Sequence, residues 1–286
     1  MAVESSDRFL TIAFGRTQWV TARNCQPLPN TVALDQVADA LAARQLTATG
    51  VVVVDRTLES SQYCANTNTL HPSWAQLATL RDAYGWTFVS GGLGYRNMTL
   101  LSPEDQWQES CGSLAAFEQH AHTRAWGLFG YPNNKWTTDI QRNVVSTCFA
   151  YGRTYSWGWN RRDRMAEPWF QQTFSIGGGR CNNSALPCST LASTTHRYEP
   201  PTSIANLFNV GTDRWAVVQM YRFVTGASST KYASWDCTSA NWWNHWTMKP
   251  ELYCWDDFVY ALDHIPGGVT VTDPATVATA WGRSPG

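Results

Sequence analysis

Residues 51–54 read Val-Val-Val-Val, a continuous β-branched run with a helical face on either side of it along the chain. Such a run belongs to a strand buried on both faces, the kind found in parallel sheets whose connections are helices. Upstream, residues 31–46 carry Leu34, Val37 and Leu41 at helical spacing. Downstream, Trp74, Leu77, Leu80 and Tyr84 do the same, with Pro72 near the start and Gly85 at the stop. The alternation continues in both directions. Strands are predicted over 9–14, 86–90, 125–131, 147–151, 215–221 and 269–272. A helix is predicted from the Ser102-Pro103-Glu104-Asp105 cap, with Trp107, Cys111, Leu114 and Phe117 as its buried stripe. A short helix is expected over 137–145, and a last one over 256–264 with Phe258, Val259 and Leu262. Residues 152–201 break the rhythm with Gly, Arg, Asn and Pro and read as a long loop excursion. With no repeat and no linker, residues 1–286 are expected to form one domain. About seven strands, each followed by a helix or a loop in its place, predict an α/β fold of barrel-like parallel architecture. An open doubly wound sheet is the competitor; the dinucleotide glycine fingerprint is missing after the first strand.

Composition removes several function classes. Lys plus Arg is 21 against 22 for Asp plus Glu, so the basic excess expected of a nucleic-acid or anionic-membrane partner is missing. No apolar run approaches the ~20 residues of a membrane helix, so no membrane insertion is expected. Tryptophan is abundant at 16 residues, and its ring both fills cores and stacks on sugars. The eight cysteines include no Cys-x-x-Cys pair, which leaves four disulfides or eight buried thiols rather than a metal finger. Cys181 and Cys188 bracket a short Asn-rich loop and are predicted to be bridged; spacing leaves the other pairings open. This composition points to an extracellular or cell-surface protein. Residues 1–10 lack the basic start and apolar core of a secretory leader. Export is then expected either by a leader that Met1 replaced or by lysis, as for virion parts.

In a parallel barrel the chemistry lies at the C-terminal ends of the strands. Those positions read Gly15-Arg16, Asp55-Arg56, Ser90-Gly91-Gly92-Leu93-Gly94-Tyr95, Tyr131-Pro132-Asn133-Asn134-Lys135-Trp136 and Met220-Tyr221-Arg222. This rim holds glycines, aromatics, amides and arginines, with a single acid and no histidine. Asp55 is a candidate acid or base, though beside Arg56 it reads first as a solvated or paired charge. His120 and His122 diverge at a helix end and read as surface or packing residues rather than a metal pair. His245 reads as a packed loop histidine, and His264 as a complement to a helix dipole. Gly177-Gly178-Gly179-Arg180 precedes no helix and is a weak phosphate signal.

With those residues in order, the chain resembles the NodB-homology polysaccharide deacetylases, over about residues 9–283. The resemblance implies a distorted (β/α) barrel and removal of acetyl groups from glycans with a divalent metal. The family's first motif ends a strand in Phe-Asp-Asp-Gly; here Phe14 is followed by Gly15 and Arg16, so both acids are absent. The second motif supplies two metal histidines. Here Gly85-Trp86-Thr87-Phe88-Val89-Ser90 keeps the frame, but Gly91 and Tyr95 stand in the histidine positions, ahead of Arg96-Asn97-Met98-Thr99-Leu100. Phe129-Gly130-Tyr131-Pro132-Asn133-Asn134 is similar to the aromatic-Pro motif lining the groove. A late histidine is replaced by Gln219-Met220-Tyr221. Deacetylation of this kind needs a cation with open positions plus a base and an acid. A degenerate member is therefore expected, with no catalytic residues, no metal and no cofactor.

The expected partner is a polysaccharide or cell-wall glycan, bound in the old groove by Tyr131, Trp136, Trp157, Trp159, Tyr95 and Tyr221, with Asn133, Asn134 and Arg16 hydrogen-bonding hydroxyls. Two rivals stand beside it. One is a purely structural virion or surface component with other such proteins as partners. The other is a live deacetylase with a site rebuilt around Asp55 and His245. Recovering the lost motif is expected to need Gly15→Asp, Arg16→Asp, Gly91→His and Tyr95→His together.

Overall fold

The first strand separates an inside from an outside by the alternation of its side chains. β1 (Arg8–Phe14) packs Leu10, Ile12 and Phe14 against helices, while Phe9 and Ala13 belong to a second cluster on its opposite face. The computed structural model describes residues 7–23, 25–59, 63–65, 69–156, 158–164, 171–175, 201–229, 234–238 and 252–284. The remaining strands of the main sheet are β2 (Thr49–Val52), β3 (Thr87–Ser90), β4 (Phe129–Gly130), β5 (Gly152–Arg153), β6 (Asn160–Arg161), β7 (Phe174–Ser175), β8 (Arg214–Met220) and β9 (Thr270–Val271). Their order is β5-β4-β3-β2-β1-β8-β6, with β7 also beside β8 and β9 also beside β1. All neighbours run parallel except β6 against β8.

A parallel bridge from Arg153 to Gln171, followed by the pairing of Phe174 with Val218, closes this sheet on itself. The result is the parallel (β/α) barrel the sequence predicted, formed by β1 to β5, β7 and β8. Its outer face is covered by α1 (Leu34–Ala42), α2 (Trp74–Tyr84), α6 (Pro201–Phe208) and α7 (Trp255–Asp263), which bury Val37, Leu41, Leu77, Leu80, Ile204, Phe208, Phe258 and Ala261. α2 begins at Ser73, whose hydroxyl accepts from Gln76 N, and ends at Gly85 in the left-handed conformation, φ 68.

The floor is built from the C-terminal segment. β1 pairs with β2 only at Ala13 and Phe14; at Phe9 and Leu10 its neighbour is β9. The chain then enters α8 (Pro274–Ala280), which sets Val277, Ala278 and Trp281 against Phe9, Trp215 and Val217. Trp215 Nε1 donates to Thr11 Oγ1 at 2.9 Å, and that hydroxyl donates to Thr272 O at 2.7 Å, so the buried indole of Trp215 is satisfied. The sequence reading passed over α8, although Asp273 capping Ala275 N and Thr276 N ahead of Pro274 is a legible start signal.

Three expected elements differ. The helix after Ser102 stops at Glu109, because Ser110 takes φ −96 and ψ −82; a single turn at Cys111–Ser113 and α4 (Leu114–Gln119) follow the break from α3 (Pro103–Glu109). Trp107 consequently leaves the stripe and is 47 % exposed. Residues 125–131 contain only a short strand, since Ala125–Gly127 is a 3-10 turn. Residues 147–151 are not a strand: Phe149 N closes a turn onto Val145 O, and Phe149 packs with Phe129 and Tyr131. The sheet strand comes one step later, at β5, inside the stretch read as an excursion.

Short antiparallel strands decorate the barrel. Val20–Arg23, Gln26–Pro27, Tyr63–Ala65 and Thr69–His71 form one sheet, with Cys25 bonded to Cys64. Leu252–Cys254, Arg222–Val224 and Thr31–Val32 form another, tied by Cys237–Cys254. Cys111–Cys148 joins the turn after α3 to the segment before β5. The predicted Cys181–Cys188 bridge lies outside the described residues. Among the described residues no helix is long and apolar enough to cross a membrane.

Candidate functional site

At the C-terminal end of the barrel the inward positions carry three glycines, and each is spoken for by a neighbour. A Cβ on Gly15 would collide with Tyr221 Cε1 and come within 2.5 Å of Gln219 Nε2. One on Gly130 would lie 2.7 Å from Arg153 Nη2, and one on Gly91 would sit 3.1 Å from Val51 Cγ1 and 3.3 Å from Val52 O. The space freed by the first two glycines therefore holds Gln219, Tyr221 and Arg153, all buried.

These side chains form a connected polar cluster. Gln219 Nε2 donates to Tyr221 Oη at 2.5 Å, and Tyr221 Oη donates to Tyr155 Oη at 3.2 Å. The Arg153 guanidinium lies 4.8 Å from the Tyr155 ring centroid. Arg16 reaches over two rings, 5.8 Å from Tyr95 and 5.5 Å from Tyr221, and Arg56 covers Tyr95 at 5.1 Å. Asn134 Oδ1 accepts from Tyr155 N at 3.0 Å, and Asn133 Nδ2 donates to Tyr95 O at 3.4 Å. The backbone is strained here: Arg16 (φ 57), Tyr95 (φ 62), Asn133 (φ 53) and Asn134 (φ 55) all sit in the left-handed region. Such conformations cost about 1–3 kcal/mol each and gather where a function holds them.

The electrostatics are one-sided. His71 donates Nδ1–H to Arg16 O at 3.1 Å. Burial, with Arg56, Arg16 and Arg222 around it, pushes its pKa down to about 3, so the ring is neutral. Burial raises the Tyr155 phenol, but Arg153, the Tyr221 hydrogen bond and Arg16 outweigh it, and the net result is a fall to about 8. Tyr95 moves the other way, raised chiefly by burial and by Tyr155.

One acid shapes the rim without entering it. Glu109 is fully buried and accepts from Gly94 N, Arg96 N and Arg96 Nε, the last at 2.9 Å, which moulds residues 92–96 into the loop that presents Tyr95. Sequence reasoning missed Glu109, because a helix-end glutamate gives no sign of folding inward. It also missed Arg153, Tyr155 and His71. Arg153 and Tyr155 follow a strand placed too early, and His71 sits on a hairpin that no periodicity marked.

The predicted residues divide. Arg16, Tyr95, Asn133, Asn134 and Tyr221 meet at this mouth, with Tyr221 buried beneath Arg16. Tyr131 is 1 % exposed among Phe129, Phe149 and Met98, so it presents no face to a sugar. Trp136 is half-buried against that ring at 6.5 Å. Trp159 packs on Phe174 at 4.9 Å, beside the β6 residue that pairs with Trp215 near the start of β8, away from the mouth. Trp157, His245 and Gly177 to Arg180 lie outside the described residues. Asp55 is exposed, and burial, then Glu109, raise its carboxyl against the pull of Arg96. His120 pairs with Glu59 at 2.9 Å and stacks on Trp74, as does buried His122. His264 Nδ1 faces Tyr260 O at 2.7 Å at the end of α7.

The divalent metal implied by the resemblance does not fit these residues. Gly15 and Gly91 offer no ligand, Arg16 brings a fixed positive charge, and Tyr95 is a phenol held protonated. His71 has its Nδ1 committed to Arg16 O. Among the described residues no three His, Cys, Asp or Glu side chains gather as a metal set.

Fold and site together define a parallel (β/α) barrel whose mouth carries arginines and tyrosines. No family model matches the chain, and no curated protein matches it. Solved structures similar to it include the Xyl-CE4 domain of a multidomain xylanase from the hindgut metagenome of Trinervitermes trinervoides, at 11 % identity and TM-score 0.46, covering 98 % of this chain and 93 % of that one. A family 4 carbohydrate esterase from Streptomyces lividans is similar at 13 % identity and TM-score 0.45, over 98 % of this chain and 97 % of its own. A peptidoglycan N-acetylglucosamine deacetylase is similar at 7 % identity and TM-score 0.45, over 98 % and 91 %. At such identities function must be read from the residues of the mouth.

Proposed function

We propose that this chain is a deacetylase-fold protein that binds glycan at the barrel mouth and does not hydrolyse it, acting outside the cell or on a cell or virion surface. The observation that carries the reading is the filling of the inner layer: Gln219, Tyr221 and Arg153 occupy the space beside Gly15 and Gly130 where acids would have to stand. Above that layer, Tyr95, Asn133, Asn134 and half-exposed Trp136 offer a flat apolar ring and amides at the rim, the mixture that sugar faces and hydroxyls take up. The three disulfides among the described residues support an oxidising location.

Calorimetric titration with chitooligosaccharides, peptidoglycan fragments and acetyl-xylan tests the reading, alongside an acetate-release assay with zinc, cobalt or manganese. Binding without acetate release is expected. Metal-dependent release abolished by a chelator would replace this reading with the live-hydrolase one.

A further inference from the structure

We infer that the mouth takes an oxyanion carried on its glycan, so that the ligand is an acidic sugar and Arg153 is the group that receives its charge. The inference rests on the glycan reading above and deepens it. Arg153 is 3 % exposed, and its Nε and Nη1 have no hydrogen-bond partner. A guanidinium cannot shed its proton, and an ion removed from water without a counter-ion costs several kcal/mol. Among the described residues no carboxylate pairs with Arg153. Gln219, fully buried two hydrogen bonds away through Tyr221 and Tyr155, likewise leaves Oε1 without a partner. Two polar side chains that each leave atoms unmet in one buried layer mark a place for a polar ligand group.

The surroundings settle its sign. Arg16 lies over Tyr221, and Arg16 and Arg56 both lie over Tyr95. Asp55, the acid at the rim, is on the solvent side near Gly94 and Glu109. The lowered Tyr155 phenol, near 8, reports the same positive field from inside. The guanidinium fork matches carboxylate and phosphate alike, so a uronate and a sugar phosphate share the chemistry.

The test measures binding of a hyaluronan tetrasaccharide (two glucuronates), N-acetylglucosamine 6-phosphate and neutral chitotetraose to the full chain. Tyrosinate absorbance is followed against pH in parallel. The acidic sugars are expected to bind about tenfold or more tighter than chitotetraose, an advantage that falls as salt rises. The uronate and phosphate arms say which group is preferred. Bound anion should also move the Tyr155 titration above its free value. Arg153→Gln should remove the acidic preference. Should that variant fail to fold, Gln219→Glu, which builds a charge into the cluster, must weaken acidic sugars while sparing chitotetraose. Equal binding of neutral and acidic sugars, with no change in the tyrosine titration, overturns the oxyanion but leaves glycan binding standing. Inorganic sulfate shifting the tyrosine titration while no sugar binds keeps the anion site and ends the glycan reading. No response to any of these probes overturns both.

Discussion

At the floor of the barrel, Phe9 and Trp215 meet Trp281 with ring centroids 6.1 and 6.3 Å apart, and the Trp215 indole N–H is bonded to Thr11. Further along, the same two strands lead into Gly15, Gln219 and Tyr221, where a buried arginine and a chain of phenols replace the apolar rings. One end is packed with apolar rings; the other is polar, cationic and left-handed in its backbone. The difference teaches that stability and function are divided along the barrel axis. A floor closed by α8 supplies burial that a strained, cationic mouth consumes.

The sharpest way to break that division is at the floor. Trp215→Ala removes a fully buried ring and its bond to the Thr11 hydroxyl, and should cost about 3–5 kcal/mol in a denaturant titration. A loss no larger than that from mouth substitutions would show that the floor is not where stability resides. Gly15→Asp tests the mouth by overfilling it: its Cβ enters space held by Tyr221 and Gln219, so a loss of about 1–3 kcal/mol is expected. Adding Arg16→Asp, Gly91→His and Tyr95→His should still give no zinc uptake by calorimetry, because Gly91 faces Val51 and Val52 O closely as well. The sequence alone suggested that these four changes are needed together. Stoichiometric zinc in the quadruple variant would show that the layer can repack.

Glu109→Gln separates shaping the rim from stabilising the barrel. It weakens the charge-assisted bond from Arg96, which is partly exposed, and should cost about 1–2 kcal/mol, with faster amide exchange at Gly94 and Arg96 but not in β1 or β8. The smallest effect is an acid one. His71 and His122 have folded pKa values near 3 and 4, below the usual 6.5, through burial and then the arginines beside each. The unfolded chain therefore takes up protons first, and stability present above pH ~6.5 is lost as pH falls towards those values. The loss should be about 1 kcal/mol per histidine by pH 5.5. Urea midpoints at pH 7.5 and 5.5 for the native chain and His71→Gln measure it; an unchanged gap in the variant would mean that His71 is open to solvent.

Much of the barrel is legible in the sequence because its strands and outer helices each carry a local signal. The valine run of β2, the Leu34-Val37-Leu41 face and the Ser73-to-Gly85 frame of α2 declare themselves through period and punctuation. Residues 147–151 misled for the same reason: an apolar run looks alike whether it fills a sheet or a satellite cluster beside Phe129. At the mouth, Arg16, Tyr95, Asn133 and Asn134 were found because strand ends can be counted. Arg153, Tyr155 and Glu109 were not, since each acts through a side chain that crosses to another segment.

What the sequence determined by itself is the kind of barrel and the absence of acids at Gly15-Arg16 and of histidines at Gly91 and Tyr95, because those are matters of order and residue type along one chain. Only the tertiary structure decided what stands in their place. Gln219 and Tyr221 fill the space beside Gly15, and Arg153 lies across Gly130, through contacts between strands far apart in the chain. Closure of the sheet at Gln171 and of the floor at Trp281 likewise joins distant segments. Local propensity cannot encode such meetings, since they arise only when packing brings the ends of the strands around a common axis.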